Sequence, residues 1–139
     1  MDTKRIESLV YQLLEALGEN PNREGLVETP KRVAQMMEEM FEGIQYTNAD
    51  IAEMFGKTFD VDTNQMVIVK DINCFSHCEH HMALMYDMNI SIGYIPRGRV
   101  IGLSKMPRIA EMCCKRLQLQ EKIGEDIAEV ISIATGTDD

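Results

Sequence analysis

Apolar residues recur at helical spacing over the first seventeen positions. Ile6, Leu9, Val10, Leu13, Leu14 and Leu17 form one stripe, which predicts a helix over residues 3–17. Asp2 is placed to cap it and Gly18 to stop it. Residues 19–28 hold Asn20-Pro21-Asn22 and Gly25 and read as a loop. A second helix opens with Thr29 as cap and Pro30 at the first helical position. Val33, Met36, Met37, Met40 and Phe41 are its expected buried face, and Gly43 closes it. Residues 51–55 add one or two turns, between Asp50 as cap and Gly56.

The period then changes. Residues 66–73 are short and β-branched, as a strand should be. Tyr86, Met88, Ile90, Ile92 and Tyr94 alternate with Asp87, Asn89, Ser91 and Gly93, which predicts a half-buried antiparallel strand ended by Pro96 and Gly98. Ser104 is placed to cap a helix that runs to residue 116. A last helix is expected over residues 118–134, with Leu119, Ile123, Ile127, Val130 and Ile131 inward and Gly136 as its stop. The order is helices, two strands, two helices, an α+β class. Two strands are too few for a stable sheet alone, so strand pairing between subunits is expected.

Composition narrows this picture. The chain has 139 residues, the size of one ordinary domain, and is 45% apolar. Its net charge of −9 argues against general nucleic-acid binding, which needs a basic footprint. It leaves room for a nucleotide, which needs only a local cluster of cations and N–H groups. No apolar run approaches the roughly 18–20 residues of a membrane span, and the N-terminus has no apolar signal core. A cytoplasmic location without membrane association is the expectation. In a reducing compartment Cys74, Cys78, Cys113 and Cys114 are not expected to form disulfides. Cys113 and Cys114 read as small buried hydrophobes.

Chemistry concentrates in three places. Cys78-Glu79-His80-His81 puts a thiol and two imidazoles within four residues, in a predicted turn between the strands. Zinc takes both donor types. A bend is needed for Cys78 and His81 to share one ion, which leaves His80 beside it for proton transfer. The bland alternative is a solvated histidine pair beside a buried cysteine, and His77 or Cys74 could be extra ligands. The second place is Gly102-Leu103-Ser104-Lys105-Met106-Pro107-Arg108, which opens a helix. A helix N-terminus with a hydroxyl and two cations suits phosphate, or is simply a capped helix. The third is Gln118-Leu119-Gln120-Glu121. There a carboxylate could accept from the N1–H and 2-amino group of guanine, or merely complement the helix dipole.

In this order, with Tyr94-Ile95-Pro96 between them, these motifs strongly resemble bacterial GTP cyclohydrolase I. Asn22-Arg23-Glu24-Gly25-Leu26 and Thr29-Pro30-Lys31-Arg32-Val33 match the family's N-terminal helical region. The resemblance implies a tunnelling-fold domain over residues 61–139, behind an N-terminal helical region over 1–60, with strands closing an oligomeric barrel. It implies a homo-oligomer of two facing pentameric rings, a decamer, with active sites between subunits. By resemblance Cys78 and His81 are zinc ligands and His80 a catalytic histidine. Ser104, Lys105 and Arg108 contact the triphosphate of GTP, with Arg32 from an adjacent subunit. Gln120 and Glu121 lie at the guanine, with Leu103 and Leu119 nearby. The implied reaction adds a zinc-activated water at C8 of GTP, opens the imidazole ring, releases formate and recloses to 7,8-dihydroneopterin triphosphate, the entry to tetrahydrofolate.

One departure shapes the expectation. The family continues past the position of Gly136 into two more strands, with a His-x-Cys pair and a further arginine that this sequence lacks. As it stands the sequence predicts a zinc site short of one protein ligand, and the alternative reading is a non-catalytic oligomeric or nucleotide-binding remnant. A related tunnelling-fold nitrile reductase is disfavoured, since it needs a nucleophilic cysteine rather than a Cys-Glu-His-His run.

Overall fold

Helix α1 (Thr3–Ala16) begins as expected, with the Asp2 carboxylate accepting from the Arg5 N–H at 3.0 Å and Gly18 taking a left-handed φ of 87° beyond its end. Helix α2 (Thr29–Met40) packs against it. The computed structural model describes all of residues 1–139, and these form two compact units, Met1–Glu42 and Gly43–Asp139. In the first unit one helix covers only a narrow strip of the other. Val10, Pro30 and Ala34 are buried, whereas Leu9, Leu13, Leu17 and Met36 of the expected stripes are exposed. Thr29 does not cap α2. It lies inside the first turn, the preceding Glu28 makes no capping bond, and Pro30 still occupies the opening turn.

The second unit holds all of the sheet structure. Helix α3 (Asn48–Phe55) is capped by Thr47, not Asp50. Asp50 is its capping-box partner three residues on, and each side chain bonds the other's backbone N–H. Five strands appear where two were expected. β2 (Val67–Cys78) and β3 (Leu84–Tyr94) form the long antiparallel pair. Short strands β1 (Thr58–Asp60) and β4 (Arg99–Ile101) pair with each other. β5 (Leu117–Gln118) runs parallel to the end of β2, giving the order β3-β2-β5. Three-residue and two-residue strands carry no readable period, which is why the sequence pattern missed them.

Two bulges shape the long pair. Asp71 and Asp87 sit at φ of 60° and 56°, beside the two breaks in register. The second reverses the alternation, so Met88, Ile90, Ile92 and Tyr94 keep the core side while Tyr86, expected inward, is 78% exposed.

Helices α4 (Met106–Cys114) and α5 (Gln120–Thr135) cover the sheet. Ile51, Ile101, Met106, Ile109 and Val130 are fully enclosed among them. Ser104 is not the cap of α4. It lies in a 3-10 turn, Leu103–Lys105, that precedes the helix. The last helix also starts later than expected, because residues 117 and 118 are spent on β5. Leu119 becomes the extended residue before α5 and is exposed, while Ile123, Ile127, Val130 and Ile131 are buried as expected. Gly136 ends α5 in a left-handed conformation. No helix is long and apolar enough to cross a membrane.

Candidate functional site

Cys78 is the last residue of β2, and the chain turns at once toward β3. The Cys78 N–H donates to the Ala83 carbonyl at 2.9 Å, and the Met82 N–H donates back to the Cys78 carbonyl at 2.8 Å. Met82 takes a positive φ of 53° to make this bend. Within the turn Cys78 Sγ lies 3.6 Å from His80 Nδ1, and the His80 and His81 rings are tilted, with centroids 6.2 Å apart. Cys78 is half-buried, and both histidines face solvent.

These are the donor types zinc takes. The count is lower than in a three-ligand catalytic site, since no three His, Cys, Asp or Glu side chains share one centre. The turn thus fits such an ion by donor chemistry, but it sets His80, not the expected His81, against the Cys78 thiol.

The neighbouring candidates are placed otherwise. His77 is buried with its ring edge-on to Phe75, and burial pushes its pKa down. Cys74 is held below its ordinary value by a hydrogen bond from Cys114, against the opposing effect of burial. That same bond, with burial, pushes Cys114 up, and burial pushes Cys113 up to about 12. Cys113 and Cys114 are 0% and 1% exposed, as expected of small core residues, and all four cysteines are free.

Strand β5 brings the third motif to this turn. Cys78 is in register with Gln118, and the Glu79 N–H donates to the Gln118 carbonyl at 3.2 Å. Leu119, Gln120 and Glu121 follow immediately and are exposed at the start of α5. Gln120 also lines a cavity of about 510 Å³ with Met85, Asn89, Ile123 and Ile127. A slightly larger groove of about 550 Å³ lies along β3 and the second half of α5 and holds none of the candidate residues.

The phosphate-type cluster stands apart. Leu103, Ser104 and Arg108 are exposed and Lys105 half-buried, around the N-terminus of α4. The C-terminal end of α4 is the end that meets the sheet beside Cys78, where Ser76 Oγ donates to the Cys114 carbonyl at 2.7 Å. A nine-residue helix puts its two ends about 13 Å apart. Arg32 is exposed on α2, in the first unit.

A buried polar network underlies the third motif, and sequence reasoning missed it. Arg116 donates to the Gly43 and Tyr46 carbonyls at 3.0 and 2.8 Å, and to Asn48 and Asp126 at 2.8 Å each. Asp126 also accepts from Gln118 at 2.7 Å, Lys122 at 2.9 Å and Asn48 at 3.1 Å. Burial acts to raise the Asp126 pKa. Its hydrogen bonds with Lys122, Asn48 and Gln118 and the Arg116 charge outweigh this and hold it at about 2. The available signal was an acid on the otherwise apolar face formed by Ile123, Ile127 and Val130.

The fold is mixed α/β, with a thiol–imidazole turn in register with the strand that leads into a carboxylate-bearing helix start. The model of one family, GTP cyclohydrolase I, matches residues 6–139. The chain is 56% identical over 144 residues to GTP cyclohydrolase 1 of Clostridium acetobutylicum, and 57% identical over 145 residues to that of Clostridium botulinum strain Loch Maree. It is 54% identical to the protein of that name from Clostridium beijerinckii. Each match covers 100% of this chain and 74% of the relative. The chain belongs to the GTP cyclohydrolase I family of enzymes.

Proposed function

We propose that the chain serves the GTP cyclohydrolase I reaction: zinc-dependent hydrolytic opening of the guanine imidazole ring of GTP, release of formate, and formation of 7,8-dihydroneopterin triphosphate for tetrahydrofolate synthesis. The observation that supports this most is the Cys78–Gln118 register, which pairs the start of the thiol–imidazole turn with the strand that leads into Gln120 and Glu121. In this reading Cys78 and His81 hold the ion. Bound zinc supplies a Lewis acid that makes water nucleophilic near neutral pH. His80 would hold or move a proton at the ring nitrogens flanking C8. Glu121 accepts from the guanine N1–H and 2-amino group, Gln120 sits beside it, and Leu103 and Leu119 pack on the base. Ser104, Lys105 and Arg108 bind the triphosphate.

The helix length between that cluster and Cys78, and the exposure of the cluster and of His80 and His81, support sites completed between copies of the chain. There Arg32 of an adjacent subunit adds a cation, in a tunnelling-fold barrel of two pentameric rings. A cytoplasmic location accords with a nucleotide substrate.

Zinc content and formate release, measured together on the purified chain with GTP, test this. Formate release with zinc bound is the outcome that supports the enzyme reading, and Cys78→Ala should then remove the zinc. Unchanged metal in that variant refutes the ligand assignment. The absence of three donors about one centre favours one alternative, a nucleotide-binding oligomer without turnover. GTP binding without formate release would establish it, and failure to bind GTP at all defeats both readings.

A further inference from the structure

The roles above leave Gln118 unused, although it is the residue through which the two halves of the site meet. It is 4% exposed and held from two directions. Its backbone is paired with Cys78, and its carbonyl accepts from the Glu79 N–H. Its side-chain amide donates to Asp126 Oδ2 at 2.7 Å and to the Cys113 carbonyl at 3.3 Å. Asp126 cannot swing to follow it. One carboxylate oxygen is held by Asn48 and Lys122, the other by Arg116 as well as Gln118, and the Arg116 guanidinium is bound in turn to the Gly43 and Tyr46 carbonyls. Rotating the amide would leave buried polar groups without partners.

Helix α5 has no side-chain cap of its own, because Leu119 stands at the cap position. The Gln118–Asp126 bond therefore ties the strand residue before the cap position to the helix's second turn, and Gln120 and Glu121 lie between the two anchors. A shift of Gln118 moves Glu121 relative to Cys78. A carboxylate that reads two adjacent N–H donors tolerates little such shift.

We propose that Gln118 is a positioning residue for base recognition, acting through its bond to Asp126 to hold Glu121 at a fixed distance from the Cys78 turn. The inference rests on the reading of Glu121 as the guanine-binding carboxylate. It predicts a defect in what the carboxylate reads, the N1–H and the 2-amino group, larger for a base that carries both, while triphosphate binding is untouched.

The test is equilibrium binding of GTP and of inosine triphosphate, which lacks the 2-amino group, to the full chain, with thermal melting alongside. Glu121→Gln should erase the preference for GTP. Gln118→Met, of similar length without the amide, should cut that preference about tenfold, the worth of one hydrogen bond to a charged group. Its affinity for inosine triphosphate, which keeps the N1–H, should fall by less than its affinity for GTP. Asp126→Asn, should Gln118→Met not fold, is expected to give the same selective loss. An equal loss for both nucleotides, or a full GTP preference in Gln118→Met alongside its loss in Glu121→Gln, overturns the positioning role and leaves the guanine reading standing. A preference that survives Glu121→Gln overturns the guanine reading and, with it, this inference.

Discussion

At the scale of single residues, Asp126 decides more than any candidate ligand does. Its side chain is 4% exposed and that of its partner Arg116 14% exposed. A buried pair stabilises little against an apolar replacement, but removing one partner strands a charge. Asp126→Ala should therefore lower stability by about 3 kcal/mol or more, read from denaturant unfolding. The pH dependence follows from the same contacts. The folded-state value is depressed, from an ordinary 3.8 to about 2. Its contribution, about 2 kcal/mol, is then complete above pH 4 and lost as pH falls through 2. Unfolding free energy measured between pH 5 and 2 should fall over that window, and Asp126→Asn should flatten the fall. A variant that keeps the wild-type slope assigns the acid sensitivity elsewhere. An acid in an apolar stripe was legible in the sequence. Its partners were not, because Arg116 lies 10 positions away and Asn48 lies 78 away, and only the fold brings them together.

Elements were legible where one period ran long enough to repeat. Helices α1, α2 and α5 and strand β3 fall close to their expected ranges, while β2 runs on past residue 73 to Cys78, so that only Glu79, His80 and His81 of that motif lie in the turn between the strands. Caps were misplaced by one residue or more wherever two polar residues competed, as with Thr47 and Asp50, since a capping box uses both in different roles. β5 escaped detection because its two residues sit within an apolar helical pattern and become a strand only by pairing with β2. The same element-level packing makes Gly43 an expected weak point. A Cβ there would stand 2.2 Å from the Met112 carbonyl oxygen and 2.9 Å from that of Lys115, backbone atoms at the end of α4. Those atoms cannot step aside as a side-chain tip would. The Gly43 carbonyl also receives the Arg116 guanidinium. Gly43→Ala should cost about 1–3 kcal/mol in thermal unfolding, the range of an overpacked core. A melting temperature equal to wild type would show that α4 can shift.

Across the whole molecule the unresolved physical problem is exposed apolar surface beside open sheet edges. Leu9, Leu13 and Leu17 lie bare in the first unit. In the second, Ile68, Phe75, Leu84 and Tyr86 are exposed along β2 and β3, and β3 has a free edge in the order β3-β2-β5. Such surface invites strand addition and apolar burial against another copy. Opposing this, each copy carries a net charge of −9, and like-charged copies repel most strongly at low salt. The balance predicts self-association that tightens as salt screens the repulsion, the reverse of an assembly held by ion pairs. Sedimentation velocity across a salt series should show species well above the 15.8 kDa monomer, increasing with ionic strength. Replacing Leu84 and Tyr86 together by lysine removes roughly 2 kcal/mol of apolar burial per site, so the variant should shift toward monomer while α-helical content and melting are retained. Such a variant also bears on catalysis, since a site completed between copies must lose formate release in step with assembly. Formate release at the wild-type rate from a chain sedimenting as a monomer would place every working residue within one copy and would remove the need for Arg32 to arrive from a neighbour.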